Sequence, residues 1–125
     1  MSVDAPKLRP IDFVSTARDD LRSFPKTAQK HIGDALLRVQ FGGKPSKAKP
    51  LKGFKGASVL EIVADYDGDT YRAVYTVRLR EAVYVRHCFQ KKSTHGIATA
   101  KHDRDLIVQR LREAEAMDRA KGSTR

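Results

Sequence analysis

A chain of 125 residues is sized for one domain with a modest core and not for two. Its 25 Lys and Arg against 15 Asp and Glu give a formal net charge of +10, which favours a polyanionic partner, nucleic acid before a membrane surface. One cysteine, Cys88, excludes an internal disulfide framework, and no apolar run approaches the ~20 residues of a membrane span.

The opening MSVDAPKLRP lacks the apolar stretch of a signal peptide, so the expected compartment is the cytoplasm. Residues 7–11 read as a short strand, interrupted by Pro10 and therefore at a sheet edge. Phe13, Ala17 and Leu21 recur at helical spacing, a stripe that ends near Phe24-Pro25. Pro25 suits the first turn of a second helix, whose buried face is Ala28, Ile32, Ala35, Leu36 and Val39. Gly42-Gly43 stops it. The following stretch, with Pro45, Pro50, Gly53 and Gly56, reads as a loop. Between Phe41 and Leu60 stand Lys44, Lys47, Lys49, Lys52 and Lys55 with no acid among them, either a solvated loop or part of a basic groove.

Residues 59–64 read as a strand, and 65–70, centred on Asp67-Gly68, as a hairpin turn. Residues 71–79 and 82–90 are strands rich in Val, Tyr and Thr, joined near Arg80-Glu81. A last helix spans about 99–119, with Leu106, Ile107, Leu111 and Ala114 facing inward, and 121–125 reads as a frayed tail. The order is β-α-α-β-β-β-α in a single domain over residues 1–125. The expected architecture is α+β, with helices packed on one side of a curved, mainly antiparallel sheet.

Strand alternation sorts the side chains by face. Val83, Val85, His87 and Phe89 share one side of their strand; Tyr84, Arg86, Cys88 and Gln90 share the other. On this pattern His87 and Arg86 cannot both point into one groove. Arg72, His87, Lys91 and Lys92 nevertheless fall on two paired strands, where cations beside a titratable imidazole form a surface able to hold a phosphate.

Four segments carry a resemblance to a known family: Leu51-Lys52-Gly53-Phe54, Val59-Leu60-Glu61-Ile62, Tyr71-Arg72-Ala73-Val74-Tyr75, and Val85-Arg86-His87-Cys88-Phe89-Gln90-Lys91-Lys92-Ser93. Together they resemble the RelE/ParE toxin superfamily, closest to its phage-derived, Gp49-like, HigB-type branch. The Phe-Gln-Lys-Lys-Ser element is the most specific piece. The resemblance implies a RelE-like fold and the toxin of a type II toxin-antitoxin system. Such a toxin is a ribosome-dependent mRNA endonuclease that inhibits translation, with no cofactor and no metal. Its implied partners are mRNA on the ribosome and a cognate helix-turn-helix, DNA-binding antitoxin, in a toxin-antitoxin hetero-oligomer. Two other classes stay open: a ParE-like inhibitor of DNA gyrase acting by protein contact, and a non-catalytic nucleic-acid-binding module.

Metal-free RNA cleavage uses the RNA's own 2′-hydroxyl as nucleophile. It needs a base for that hydroxyl, cations for the developing charge on the phosphate, and an acid for the leaving oxygen. By the resemblance, Arg72 is the phosphate clamp, and Lys91 and Lys92 are catalytic proton-transfer groups or phosphate contacts; His87, a titratable imidazole on the neighbouring strand, is the candidate acid or base. Lys49, Lys52, Lys55, Arg86 and His95 are phosphate or RNA contacts. Some relatives stack a C-terminal tyrosine on mRNA; here no Tyr follows Tyr84, so Tyr75, Phe89 or His95 must supply the surface. Each assignment has a structural alternative. Arg72 can pair with Glu61 or Asp65 across the hairpin, His87 can be a hydrogen-bonded core histidine, and Tyr71 and Tyr75 can be sheet packing. His31, His87, His95 and His102 show no paired ligand spacing for a metal.

Overall fold

The computed structural model describes residues 8–46, 48–51, 54, 59–91 and 100–123. Within them the chain runs β1 (Ile11–Phe13), α1 (Ala17–Arg22), α2 (Lys26–Gln40), β2 (Ala48–Pro50), β3 (Leu60–Tyr66), β4 (Asp69–Thr76), β5 (Val83–Lys91) and α3 (Lys101–Ser123). The five strands form one sheet in the order β1-β5-β4-β3-β2. β1 lies parallel to β5, and every other pair is antiparallel.

α2 forms as its sequence dictates. Ala28, Ile32, Ala35, Leu36 and Val39 recur on one helical face, and all five are buried. The helix closes in a Schellman motif: Gly43 N–H donates to the Arg38 carbonyl at 2.8 Å and Gly42 N–H to Val39 at 2.9 Å. Gly42 takes φ +87°, which is why a glycine stands there. The β3–β4 turn likewise needs positive φ at both central residues, Asp67 at 51° and Gly68 at 83°. Gly68→Ala is therefore expected to destabilise the domain by about 1 kcal/mol, since alanine pays the left-handed cost that glycine does not. Urea unfolding measures it; an unchanged midpoint would mean that the turn relaxes to another type without loss.

Four expectations need correction. The edge strand falls at Ile11–Phe13 rather than 7–11, so Phe13 belongs to a strand and not to the helical stripe. Pro10 precedes the strand, and its carbonyl still accepts the Val83 N–H at 2.9 Å. The stretch read as a loop contains β2, which tolerates Pro50 because it is the other edge of the sheet. α3 continues through Ser123, and Lys121 Nζ reaches Asp12 at 2.8 Å, so the residues read as a frayed tail start inside the helix.

The fourth correction concerns the layers. Ala17 of α1, Phe24 and the apolar stripe of α2 pack with Ile62, Ala64, Tyr71, Ala73, Tyr75, Val83 and Val85. Val74 and Phe89 pack instead with Ile107 of α3, and Tyr84 with Ala114. Successive strand residues face opposite ways, so α1 and α2 cover one face and α3 the other. Both faces of β5 are buried, because this central strand is sandwiched between helices.

The loop from β4 to β5 is held from two sides. Arg9 donates to the carbonyls of Val77, Leu79 and Ala82. Asp118 of α3 accepts the backbone N–H of Arg80 and Glu81 and the Tyr84 hydroxyl, at 3.1, 2.7 and 2.9 Å. Burial alone would raise the Asp118 carboxyl, but those three donors outweigh it and hold it below its ordinary value.

Candidate functional site

The face of the sheet under α3 carries the polar chemistry. Register places Lys49, Glu61, Val74 and His87 in one row across β2, β3, β4 and β5, with Val63, Arg72 and Phe89 in the next row. α3 crosses the β5 side of this face. Toward β2 lies a hollow of about 240 Å³ lined by Ser46, Lys49, Val63 and Asp65.

Arg72 sits at the centre. Its Nη1 donates to both carboxylate oxygens of Glu61, at 2.7 and 2.8 Å, and its Nε is buried without a hydrogen-bond partner. The Glu61 side chain is 3% exposed against 15% for Arg72. Lys49 Nζ approaches the same carboxylate at 3.8 Å from a largely exposed position. Removing Arg72 would leave this buried carboxylate with only the distant, exposed Lys49 for compensation, which is costly. The pairing also presents the guanidinium in a fixed orientation. The sequence-level alternative that Arg72 pairs with Glu61 is what the structure contains.

β5 departs from simple alternation. Val74 pairs with His87 but Tyr75 pairs with Val85, so Arg86 is an extra residue in a β-bulge. Before the bulge Val83 and Val85 face α2; after it Cys88 does. Arg86 and His87 therefore both turn toward α3, and the expectation that they point to opposite faces fails. Arg86 donates through Nε and Nη2 to the Ile107 carbonyl at 3.2 and 2.5 Å. At 1% exposure it is not a surface phosphate contact. Burial pushes its guanidinium down to about 10, still charged at neutral pH.

His87 is bonded through both ring nitrogens. Arg110 Nη1 approaches Nδ1 at 2.9 Å, and a guanidinium can only donate, so Nδ1 is an acceptor. The proton then lies on Nε2, which donates to Asp103 at 2.7 Å. Arg110 also donates to the Arg86 carbonyl at 3.2 Å and to Thr16 Oγ1 at 2.9 Å. The neutral ring lies stacked on Phe89, centroids 5.1 Å apart. Both ring nitrogens are thus engaged within the protein, and through them the ring ties β5 to α3. The buried Arg110 behind it was missed by sequence reasoning. Its spacing between Ile107 and Ala114 on one helix face was the available signal.

The stacking residues are placed as plainly. Tyr75 is 1% exposed in the core on the α2 side, where burial pushes its hydroxyl up to about 12. Phe89 is buried against Val74 and Ile107. Tyr71 packs on Phe24, centroids 4.9 Å apart. Cys88 is buried and its thiol is pushed up to about 12 by that burial, which makes it inert. Lys91 ends β5, paired in register with Thr70. Lys52, Lys55, Lys92 and His95 lie outside the described residues. Among the described residues no group of three or more His, Cys, Asp or Glu side chains converges as a metal site. No described helix is long and apolar enough to cross a membrane.

Comparison with known proteins adds one decisive finding. The family model for phage derived protein Gp49-like (DUF891) matches residues 19–112, from α1 into α3. The chain belongs to that family. It is the RelE/HigB-like toxin family, so the resemblance carried by residues 51–54, 59–62, 71–75 and 85–93 stands. No curated protein matches the chain.

The Gp49-like match spans every element of the His87 network except Thr16. That network has a pH signature. Burial, with the Arg110 charge adding to it, lowers the His87 imidazole below its ordinary 6.5 despite the opposing pull of Asp103. The unfolded chain then binds a proton that the folded chain refuses. Stability is fully present above about pH 6.5 and falls as the pH drops below it, by at most about 1.4 kcal/mol per pH unit. Urea unfolding between pH 5 and 8 checks this. A stability that rose on acidification through that window would contradict the neutral assignment.

Proposed function

We propose that this Gp49-like chain is the toxin of a type II toxin-antitoxin system and acts as a metal-independent, ribosome-dependent mRNA endonuclease in the cytoplasm. One observation carries the reading: Arg72, Glu61 and Lys49 meet across three adjacent strands, on a rigid sheet, beside a hollow that α3 leaves uncovered. A basic chain of net charge +10 supplies the long-range attraction for RNA. Family membership supports a RelE-like fold and a cognate antitoxin as partner.

On this reading the scissile phosphate lies over Arg72, which meets the charge that develops as the 2′-hydroxyl attacks. Glu61 aims the guanidinium through Nη1, and Lys49 adds a second cation. Lys91 and Lys92, with Lys52, Lys55 and His95, are the proposed proton-transfer and phosphate contacts. His87, with Asp103 and Arg110, holds α3 against β5 and so keeps the strand end that carries Lys91 in place.

A non-catalytic RNA-binding role is the second reading, favoured by the saturation of Arg72 Nη1 by Glu61. Primer extension on a defined mRNA, with and without programmed ribosomes, separates the two. Cuts that require ribosomes support the endonuclease; cuts on naked RNA keep the enzyme and discard the ribosome. Binding without any cleavage sinks the endonuclease reading.

A further inference from the structure

We propose that the hollow where the α1–α2 corner meets β4 and β5 binds a small organic polycation of the polyamine class. The hollow measures about 570 Å³, and its wall includes Asp20, Ser23, Phe24, Pro25, Tyr71 and Gln90. Tyr71 is only 7% exposed, yet its hydroxyl has no hydrogen-bond partner among the described residues. A buried hydroxyl normally finds a partner, so an unpaired one lining a hollow marks a position for a ligand. Two further groups are uncommitted. Asp20 accepts the Thr16 hydroxyl through Oδ2 at 3.0 Å, which leaves Oδ1 without a partner among the described residues. The exposed Gln90 side chain makes no hydrogen bond among them either. Ser23 Oγ donates to the Asp20 carbonyl, so toward the hollow it can only accept.

The wall selects a cation. Hollows of about 270, 340 and 240 Å³ elsewhere on the molecule each carry an Arg or Lys in the wall. This one carries none among the described residues, in a chain of net charge +10. Negative charge reaches it from two sides. Asp20 adds to the burial that raises the Cys88 thiol, and Asp69 and Asp67 add to the burial that raises the Tyr71 hydroxyl. Acids set apart across an apolar floor suit ammonium groups spaced along a methylene chain, whose carbons can lie on Phe24 and Pro25. A single metal ion is disfavoured, because no group of three or more His, Cys, Asp or Glu converges among the described residues. A phosphate is disfavoured by Asp20 and by the lack of a lining cation. Tyr71 and Arg72 are neighbours on β4 and face opposite sides of the sheet, so this inference does not depend on RNA cleavage.

The test uses the full chain, 15N-labelled, titrated with spermidine at fixed ionic strength. The expected result is saturating amide shift changes centred on Asp20, Ser23, Tyr71 and Gln90. Asp20→Asn can still accept from Thr16, so it should fold, and its affinity is expected to fall at least about tenfold. Tyr71→Phe removes only the unpaired hydroxyl, so it should melt with the parent while binding about threefold more weakly or worse. Propylamine, with one ammonium group, is expected to bind at least about tenfold more weakly than spermidine. No shift changes at millimolar spermidine would overturn the proposal, as would unchanged affinity in both variants. Equal shifts at the same residues with magnesium would mean diffuse charge attraction and overturn it. Tighter binding of adenosine or cytidine monophosphate at these residues would assign the hollow to a nucleobase and overturn it as well.

Discussion

Arg72→Ala is expected to lower the rate of ribosome-programmed mRNA cleavage by at least about 100-fold, the scale on which losing one preorganised charge donor acts at a reacting oxyanion. Truncation also strands Glu61, a nearly inaccessible carboxylate whose other cation, Lys49, stands 3.8 Å away. The variant therefore loses stability as well, by about 3 kcal/mol or more. Two companions separate these effects. Arg72→Lys keeps a positive charge beside Glu61 but loses the planar fork, so it should fold near parent stability and still cleave poorly. Arg72→Gln with Glu61→Gln replaces the ion pair by a neutral pair of similar shape, and should fold while cleaving no better than Arg72→Ala. Thermal melts run beside primer extension read both quantities. Cleavage at parental rate by folded Arg72→Lys would remove Arg72 from the chemistry and leave it as Glu61's structural partner.

Arg110→Ala is expected to be the most damaging change outside the apolar core. The side chain is 5% exposed and donates to three groups: the Arg86 carbonyl, His87 Nδ1 and Thr16 Oγ1. Truncation leaves the Arg86 carbonyl and His87 Nδ1 buried without their donor, while the exposed Thr16 hydroxyl turns to water, and it opens a cavity between α3 and β5. Costs of about 1–3 kcal/mol for each unsatisfied group do not add fully within one network, and about 3–5 kcal/mol in total is expected. A domain of this size should then melt about 10 °C lower or more. Arg110→Met fills most of the volume and removes a buried charge, so it should cost clearly less than alanine. A melt of Arg110→Ala within a degree or two of the parent would show that the network contributes nothing. His87→Ala tests the same junction from the other side. Its effect should be smaller, and it should flatten the stability change below pH 6.5, because the residue that refuses the proton is gone.

Much of the fold was legible because it rests on local periodicity and turn chemistry. The α2 stripe, the Gly42-Gly43 stop, the Asp67-Gly68 hairpin and the two long strands all follow from residues close in sequence. Three features did not. β2 is three residues long and contains Pro50; nothing local marks it, and it exists because β3 offers an edge. The division of helices between two faces depends on which side of β5 meets α3, and β5 is apolar on both. The bulge at Arg86 is invisible to alternation, which assumes an unbroken ladder.

The candidate site was legible to the same degree and for the same reason. Arg72 and its two possible partners, Glu61 and Asp65, follow from a hairpin centred on Asp67-Gly68, so the residues could be named from sequence, and the structure chose Glu61. His87 could be named but not assigned. Its role depends on Asp103 and Arg110, which lie 16 and 23 residues away in sequence and reach it only when α3 folds back over the sheet.

Sequence by itself determined the class of fold, the family, the basic character of the chain and the hairpin that carries Arg72, because each is written in composition, periodicity or short-range motifs. Only the tertiary structure decided which groups are spoken for. Burial enclosed Tyr75, Arg86 and Cys88, and hydrogen bonding to α3 took both nitrogens of His87. A side chain's chemistry belongs to its residue type, but its availability depends on what packs against it, and those neighbours come from distant parts of the chain.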